Sequence, residues 1–435
     1  MRTPTRTRFL TLLLALLVVG SLCAWYFMSR HASSSNPQLV KVRFGMLPYG
    51  DHTYAIIGEQ MGWFRDVGIQ LDYRVVKVED TVPFLRNGSL DVGSCSPGVI
   101  VAAYNPNSPV VNFVFGDIFQ GYAIMAQPDR GFKSVQEFIQ SGMKPGEAVR
   151  AAAAQIRGKT FAYPTEAAIK PFIDLVLEYG NLKRGDFKAL VLDDPLTVNS
   201  MRTHQADFQV GGAPSHIVLE REGFKPIISS NDLAAAAKPS PDSKELASIF
   251  TDGWAVTRPY YDQHRDTILR LASVNFRIAQ FIHSDPDRAL AIHMPYLSRV
   301  TGQTFTAAEG RVIYNSLDPF FTFDQQRPWY HDPARPLYYK NLNGAMINSF
   351  ITQGIFAPAN APKVDDVSVA KDVYMTLENL KAKTEENLHQ LQTSLGAAPQ
   401  SVKEEAAKAQ KFYDAFDYYD SERASAQALA LSRGK

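Results

Sequence analysis

Along residues 39–120 apolar and polar positions alternate in short runs that end in Pro- and Gly-bearing turns. LVKVRFG alternates with period two and stops at LPYG, which predicts a strand; YAIIGEQMGWF then brings Ile56, Ile57, Met61 and Phe64 onto one helical face. VGIQLDYRVV predicts a second strand, EDTVPFLRNGS a second helix and LDVGSC a third strand. The order restarts at residue 158 with GKTFAYP, a helix through PFIDLVLEYG, the strand FKALVLDD, a helix through PLTVNSMRTH and the strand ADFQVGG. Strand–helix alternation with short loops predicts an α/β architecture of mostly parallel, doubly wound sheets.

The two halves share a module. FLRNGSLDVGSCSPG (residues 84–98) and SMRTHQADFQVGGAPS (residues 200–215) align Arg86 with Arg202, Asp91 with Asp207 and, after one extra residue, Pro97 with Pro214. Each reads as a helix, a turn, a strand and a new helix, so the chain holds two lobes of related plan. Asp91 and Asp207 open their strands after a turn, and their carboxylates are expected to bond nearby backbone N–H groups rather than to act in catalysis.

After residue 250 the pattern becomes helical, clearest where Ile268, Leu269, Leu271, Phe276 and Ile278 share a face. Near the C-terminus Val373, Leu377, Leu380, Leu388, Leu391 and Leu395 recur at helical spacing, GAAPQ turns the chain, and a second helix carries Phe412, Phe416 and Tyr419. This predicts a helical hairpin that docks on the body or on a partner. The expected division is 1–38 for a cytoplasmic stub, anchor or signal and linker, 39–120 for the first part of lobe 1, 121–250 for lobe 2, 251–362 for the second part of lobe 1, and 363–435 for the hairpin.

The N-terminus assigns a compartment. Arg2, Arg6 and Arg8 precede FLTLLLALLVVGSLCAWYFM, residues 9–28, which carry no charge. Twenty helical residues at about 1.5 Å each cover roughly the 30 Å hydrocarbon core. Basic residues ahead of the run keep that end in the cytoplasm and export the rest. An uncleaved transmembrane anchor is the expectation, with a cleaved signal and lipid attachment at Cys23 as alternatives. In 435 residues the 45 basic and 44 acidic side chains nearly cancel, which gives no argument for nucleic acid as a partner. The body holds one cysteine, Cys95, and so no internal disulfide.

In open α/β sheets ligands bind beyond the carboxyl ends of the strands, where helix starts present free N–H groups. The candidate ligand residues are therefore Tyr49, Asp51, His52 and Thr53 after the first strand, and Ser94 and Ser96 after the third. In the second lobe they are Tyr163, Thr165 and Glu166 after its first strand, and Gly212 and Ser215 at the repeat. Helix capping and turn formation account for the same residue types without a ligand. No HExxH, no His–Cys cluster, no GxSxG, no P-loop and no GxGxxG occurs, so neither a metal site nor a cofactor site is expected.

Residues 44–97 resemble the opening of the periplasmic solute-binding proteins for nitrate, sulfonates, taurine and thiamine-type pyrimidines. Gly62, Trp63 and Phe64 match that family's helix end, and the Gly88–Asp91 turn leads to a polar strand end. RGKTFAYP resembles the start of the second lobe, and ADFQVGGAPSHIVLEREG the closing module. The similarity runs over about residues 40–355. It implies a two-lobed type II periplasmic-binding-protein fold, here with an N-terminal transmembrane helix and a C-terminal helical hairpin. It further implies capture of a small organic or oxyanionic solute, delivery to an ABC permease and ATPase, and no enzymatic activity. The location implied is the periplasmic face of the inner membrane, through residues 9–28. Most relatives are shorter, free or lipid-anchored, and lack the hairpin; a ligand-sensing module whose hairpin contacts a membrane partner is the alternative. The acidic and aromatic bias of Asp51, Glu79, Glu166, Tyr49, Tyr163 and His52 leans toward a cationic or heteroaromatic solute.

Overall fold

A computed structural model describes residues 39–238, 240–392 and 395–434. The apolar run at 9–28 lies outside the described residues, and among those described no helix is long and apolar enough to cross a membrane. Among the described residues ten strands build two sheets: β1 (Val40–Met46), β2 (Ile69–Val75), β3 (Val92–Ser94), β4 (Val110–Phe119), β5 (Ala123–Ala126), β6 (Thr160–Tyr163), β7 (Lys188–Val191), β8 (Phe208–Gly211), β9 (Lys225–Ser229) and β10 (Phe250–Thr257). The first sheet has the order β2-β1-β3-β10-β4 and the second β7-β6-β8-β5-β9.

Both sheets are mixed: β10 in the first and β5 in the second each run antiparallel to both neighbours. β1 and β3 are parallel, whereas β10 runs antiparallel to β3 and β4. β6 pairs in parallel with β7 and β8, whereas β5 is antiparallel to β8 and β9. The antiparallel strands are those that carry the chain from one sheet to the other. β4 and β10 are buried along nearly their whole length, so they read as continuous apolar runs without alternation. Trp254 of β10 centres the first core, edge-on to Phe44 at 5.1 Å and stacked on Tyr54 at 5.8 Å.

The repeated module has a shared job. Asp91 donates its N–H to the Arg43 carbonyl at 2.9 Å, and its carboxylate accepts the Arg43 N–H at 2.9 Å. Asp207 makes the same pair with Thr160, at 2.9 Å and 2.8 Å. Arg43 and Arg130 close the two carboxylates from outside. Each Asp therefore fixes the entry of a strand beside the first strand of its lobe, as expected of a carboxylate bonding local backbone.

The site rests on six helices: α1 (Ala55–Gln60), α2 (Val78–Arg86), α3 (Pro97–Ala102), α4 (Lys170–Tyr179), α5 (Asp194–Arg202) and α6 (Ser215–Arg221). Two long helices, α7 (Arg265–Ser284) and α8 (Pro286–Thr301), back the first sheet. Among its described residues the C-terminal unit has three α-helices, not the two of a hairpin: α9 (Ala370–Gln392), α10 (Gln400–Asp414) and α11 (Tyr418–Ser432). The expected second helix breaks at residues 415–417, where Phe416 takes a positive φ of 65° and the Asp417 side chain caps α11 by accepting the Asp420 N–H. The unit docks on its own body. Val373, Tyr374 and Leu377 of α9 belong to the main core, and Tyr374 stacks on Phe323 and Tyr330, each at 4.6 Å. Asp420 of α11 accepts two hydrogen bonds from Arg270 of α7, at 2.8 and 2.9 Å.

Candidate functional site

The chain passes from the first sheet to the second between β4 and β5, and returns between β9 and β10. Phe119, ending β4, pairs with Phe250, opening β10; their rings stack at 4.9 Å and Tyr122 leans on Phe119 at 4.6 Å. These aromatics form the waist between the lobes. On one side of it the loops that follow β1, β2, β6 and β7 converge on a cavity of about 600 Å³, lined by Pro48 and Tyr49, residues 74–80, residues 164–166 and residues 193–196. A second cavity of about 320 Å³ shares Tyr49 and Asp194 and adds Asn199, Arg202, Ser215 and Gln303. At the waist a small chamber of about 30 Å³ is lined by Tyr49, Asp51, His52, Ser96, Phe119, Tyr122, Glu166, Asp194, Gly212 and Asp252.

The loop after β1 is pinned from within. The Tyr49 carbonyl accepts the His52 N–H at 3.3 Å, the Thr53 N–H at 3.1 Å and the Thr53 hydroxyl at 2.8 Å. Thr53 Oγ1 therefore accepts from His293 Nε2 at 2.7 Å, and His293 Nδ1 accepts from the Tyr314 hydroxyl at 2.8 Å. That pattern requires a neutral imidazole, and burial pushes the His293 pKa down to about 3. With its backbone held, the loop presents the His52 ring inward. His52 Nδ1 meets Ser94 Oγ at 2.8 Å, and Nε2 stands 3.6 Å from both Asp51 Oδ2 and Asp252 Oδ1.

The sequence-derived candidates thus separate into groups. Tyr49, Asp51, His52, Ser96, Glu166 and Gly212 meet in the waist chamber. Thr165 lines the larger cavity and Ser215 its neighbour. Ser94 is buried behind His52, and Thr53 is a buried brace of the loop, so neither reaches the cavities. Tyr163 is also displaced: it faces a separate depression with Lys170, Asp174 and Arg184, and its hydroxyl accepts from Arg184 at 2.9 Å. Cys95 is fully buried and burial raises its thiol pKa, as for a small packing residue.

Several groups escaped the sequence reading. Asp194 opens α5, its Oδ2 accepting the Ser215 hydroxyl at 2.6 Å. Asp252 of β10, Asp117 of β4 and Asp318 are fully buried, and neither carboxylate oxygen of any of them has a hydrogen-bond partner. Asp252 and Asp117 face each other across the β10–β4 pair, and the register slips between Asp252 and Gly253. Gly253 permits that slip, because a Cβ there would collide with the Val114 carbonyl. The available signal was a carboxylate inside an otherwise apolar strand, in VFGDIF and FTDGWAV, since charged residues are almost never fully buried without a partner.

The electrostatics are one-sided. Among the described residues no Lys or Arg pairs with Asp51, Asp117, Asp194, Asp252 or Asp318; the ion contacts here are those of His52. Burial, then Asp194, Asp51 and Glu79, push Glu166 up to about 8. Burial raises Asp194 against the Ser215 hydrogen bond. Burial first, then Asp51 and Asp117, hold Asp252 well above the carboxylate range, and Asp117 and Asp318 follow for the same reasons. Burial lowers the His52 pKa while Asp51 opposes it. At the rim Arg74 bonds the Ser89 carbonyl and Arg202 is paired bidentately with Glu222, leaving Lys77 beside Glu79 and Asp80. The space between the lobes is a carboxylate-lined pocket walled by aromatic rings.

Two five-stranded mixed sheets joined by two crossovers, with strand-end loops facing one cleft, define the two-lobed architecture of type II binding proteins. The chain belongs to the NMT1-like family, whose sequence pattern matches residues 35–293. Its fold is that of solved binding proteins. The periplasmic aliphatic sulphonate-binding protein SsuA from Escherichia coli superposes with a TM-score of 0.54 at 12% identity, over 75% of this chain and 91% of that one. The periplasmic nitrate-binding protein NrtA from Synechocystis gives 0.52 at 14% identity, over 78% and 88%. No curated protein matches in sequence. The family resemblance read from residues 44–97 is therefore borne out.

Proposed function

We propose that this protein is an extracytoplasmic solute-binding protein that captures a small, positively charged organic solute between its lobes and hands it to an ABC importer. The observation that carries the reading is the pairing of a two-lobed fold with a cleft lined by Glu79, Glu166, Asp193 and Asp194 and walled by Tyr49 and Phe84. A space of about 600 Å³ suits a solute of ordinary metabolite size. Glu166 and Asp194 come from the second lobe and Tyr49 from the first, so a solute touching all three holds the lobes together. The charge argues against an oxyanion: placing a sulfonate or nitrate among these carboxylates would add like charge at low dielectric. A cation instead draws Glu166 into its ionised form and stacks on the rings. In this reading the protein binds without catalysis, and residues 9–28 tether it to the inner membrane on the exported side.

The test is a thermal-shift panel on the full-length protein. Quaternary and protonated amines should raise the melting temperature in a concentration-dependent way, and alkanesulfonates and nitrate should not. Stabilisation by sulfonate or nitrate alone would reject the assignment of solute class.

A further inference from the structure

We propose that Asp51, His52 and Asp252 form a binding site for one divalent transition-metal ion at the floor of the cleft. The proposal does not depend on the solute assigned to the larger cavity above it.

Each of the three residues offers one donor atom, and all three atoms lie within 4.8 Å of one another. His52 Nε2 is 3.6 Å from a carboxylate oxygen of each Asp. Metal–donor bonds of about 2.1 Å set neighbouring donors roughly 3.0–3.4 Å apart, so a few tenths of an ångström of contraction closes the set. The imidazole is already oriented. Its Nδ1 lies 2.8 Å from Ser94 Oγ, and in the tautomer that donates Nδ1–H to that oxygen the Nε2 lone pair faces the two carboxylates. A hydrogen bond on the far nitrogen is how ligating histidines are usually held.

The independent observation is the state of the carboxylates. Asp252 is fully buried and neither of its oxygens has a hydrogen-bond partner, His52 Nε2 standing 3.6 Å from Oδ1; Asp51 Oδ1 is likewise without a hydrogen bond in a residue only 2% exposed. Asp117 and Asp318 stand behind them with four more unpartnered oxygens. The Asp318 carboxylate sits against Gly50 and Gly121, where a Cβ would lie 3.2 and 3.4 Å from it. Buried carboxylates without cation or donor are costly, and an ion of charge two meets that cost directly. The adjoining chamber of about 30 Å³ is close to the volume of one water, too small for an organic cation and large enough for an ion with one open position.

The donor set selects the ion. One imidazole and two carboxylates suit zinc, manganese, iron(II) or cobalt, whereas calcium and magnesium prefer oxygen alone. No thiol takes part, since the Cys95 sulfur contacts the Ser96 carbonyl.

The test uses full-length protein in detergent, treated with chelator, dialysed, and titrated with Zn²⁺ alone and Co²⁺ alone. One ion per chain is expected at micromolar or tighter affinity. His52→Ala and Asp252→Asn should each weaken binding by at least 100-fold, and Glu404→Gln on the exposed face of α10 should change it less than threefold. Zinc-edge X-ray absorption of the wild type provides a readout independent of variant folding, and should show one imidazole with oxygen donors and no sulfur. No stoichiometric ion at 100 µM metal would overturn the proposal. So would an ion whose affinity is unchanged in both folded variants, or sulfur or multiple-imidazole coordination, each of which marks an adventitious ion only.

Discussion

The Nε2 of His52 stands 3.6 Å from Oδ1 of Asp252, joining the loop after the first strand to a strand 200 residues later. Asp252 lies two residues from Phe250, whose ring stacks on Phe119 at the waist. The floor of the cleft and the crossover between lobes are thus one structural unit. Gly253 makes the arrangement possible by letting β10 slip in register as it passes Val114. Gly253→Ala should destabilise the protein by about 1–3 kcal/mol through overpacking, read as a lowered denaturant midpoint at unchanged slope. A wild-type midpoint would mean that the close approach of the strands is not required.

Glu166 and Asp194 should carry the solute's charge. Glu166→Gln and Asp194→Asn should each lower affinity for the natively bound solute by roughly 5- to 150-fold, the equivalent of about 1–3 kcal/mol for a lost buried bond. Calorimetric titration checks this. Melting of the solute-free variants should stay level or rise, because each change removes a carboxylate whose ionisation is disfavoured in place.

The pH dependence follows from Glu166, raised to about 8 by burial and its acidic neighbours. A raised carboxylate favours the folded state below its ordinary value near 4.5 and loses that contribution as pH climbs through 8. Solute affinity moves oppositely, since a cation binds the ionised form. Titrations should show affinity rising from pH 6 to 8 and levelling above. In Glu166→Gln that rise should flatten.

The two-lobed plan was legible because its first strands alternate and its repeated module recurs with Asp91 and Asp207 in the same place. Tyr49, Asp51, His52 and Glu166 were legible as strand-end loop residues. β4, β5 and β9 were not singled out: β4 and β5 are buried along their whole length and so have no period. Asp252, Asp117 and Asp318 stayed hidden because pairing across strands, and not spacing along the chain, gathers them round Asp51. For the same reason the proposed ligand set gave no signal in the sequence. Sequence spacing cannot reveal a triad drawn from positions 51, 52 and 252. The C-terminal unit was misread as a hairpin because Phe412, Phe416 and Tyr419 keep helical spacing through the break at Phe416.

That unit also completes the core of the body. Tyr374 is buried between Phe323 and Tyr330, and its hydroxyl donates to the Phe323 carbonyl at 3.0 Å. Tyr374→Ala should cost about 3–5 kcal/mol, and a chain ending at residue 369 should melt at lower temperature and bind a hydrophobic dye. A truncated protein of wild-type stability would show that the unit is separable.

The central claim is a carboxylate-lined cleft that holds a cationic solute between two lobes. Native mass spectrometry of protein purified from its own cells without denaturation, with identification of the released molecule, tests it most directly. The account predicts one small molecule per chain, positively charged at neutral pH, present on the wild type and absent from a Glu166→Gln, Asp194→Asn double variant. A bound sulfonate, nitrate or other anion, or a solute retained by the double variant, would contradict it.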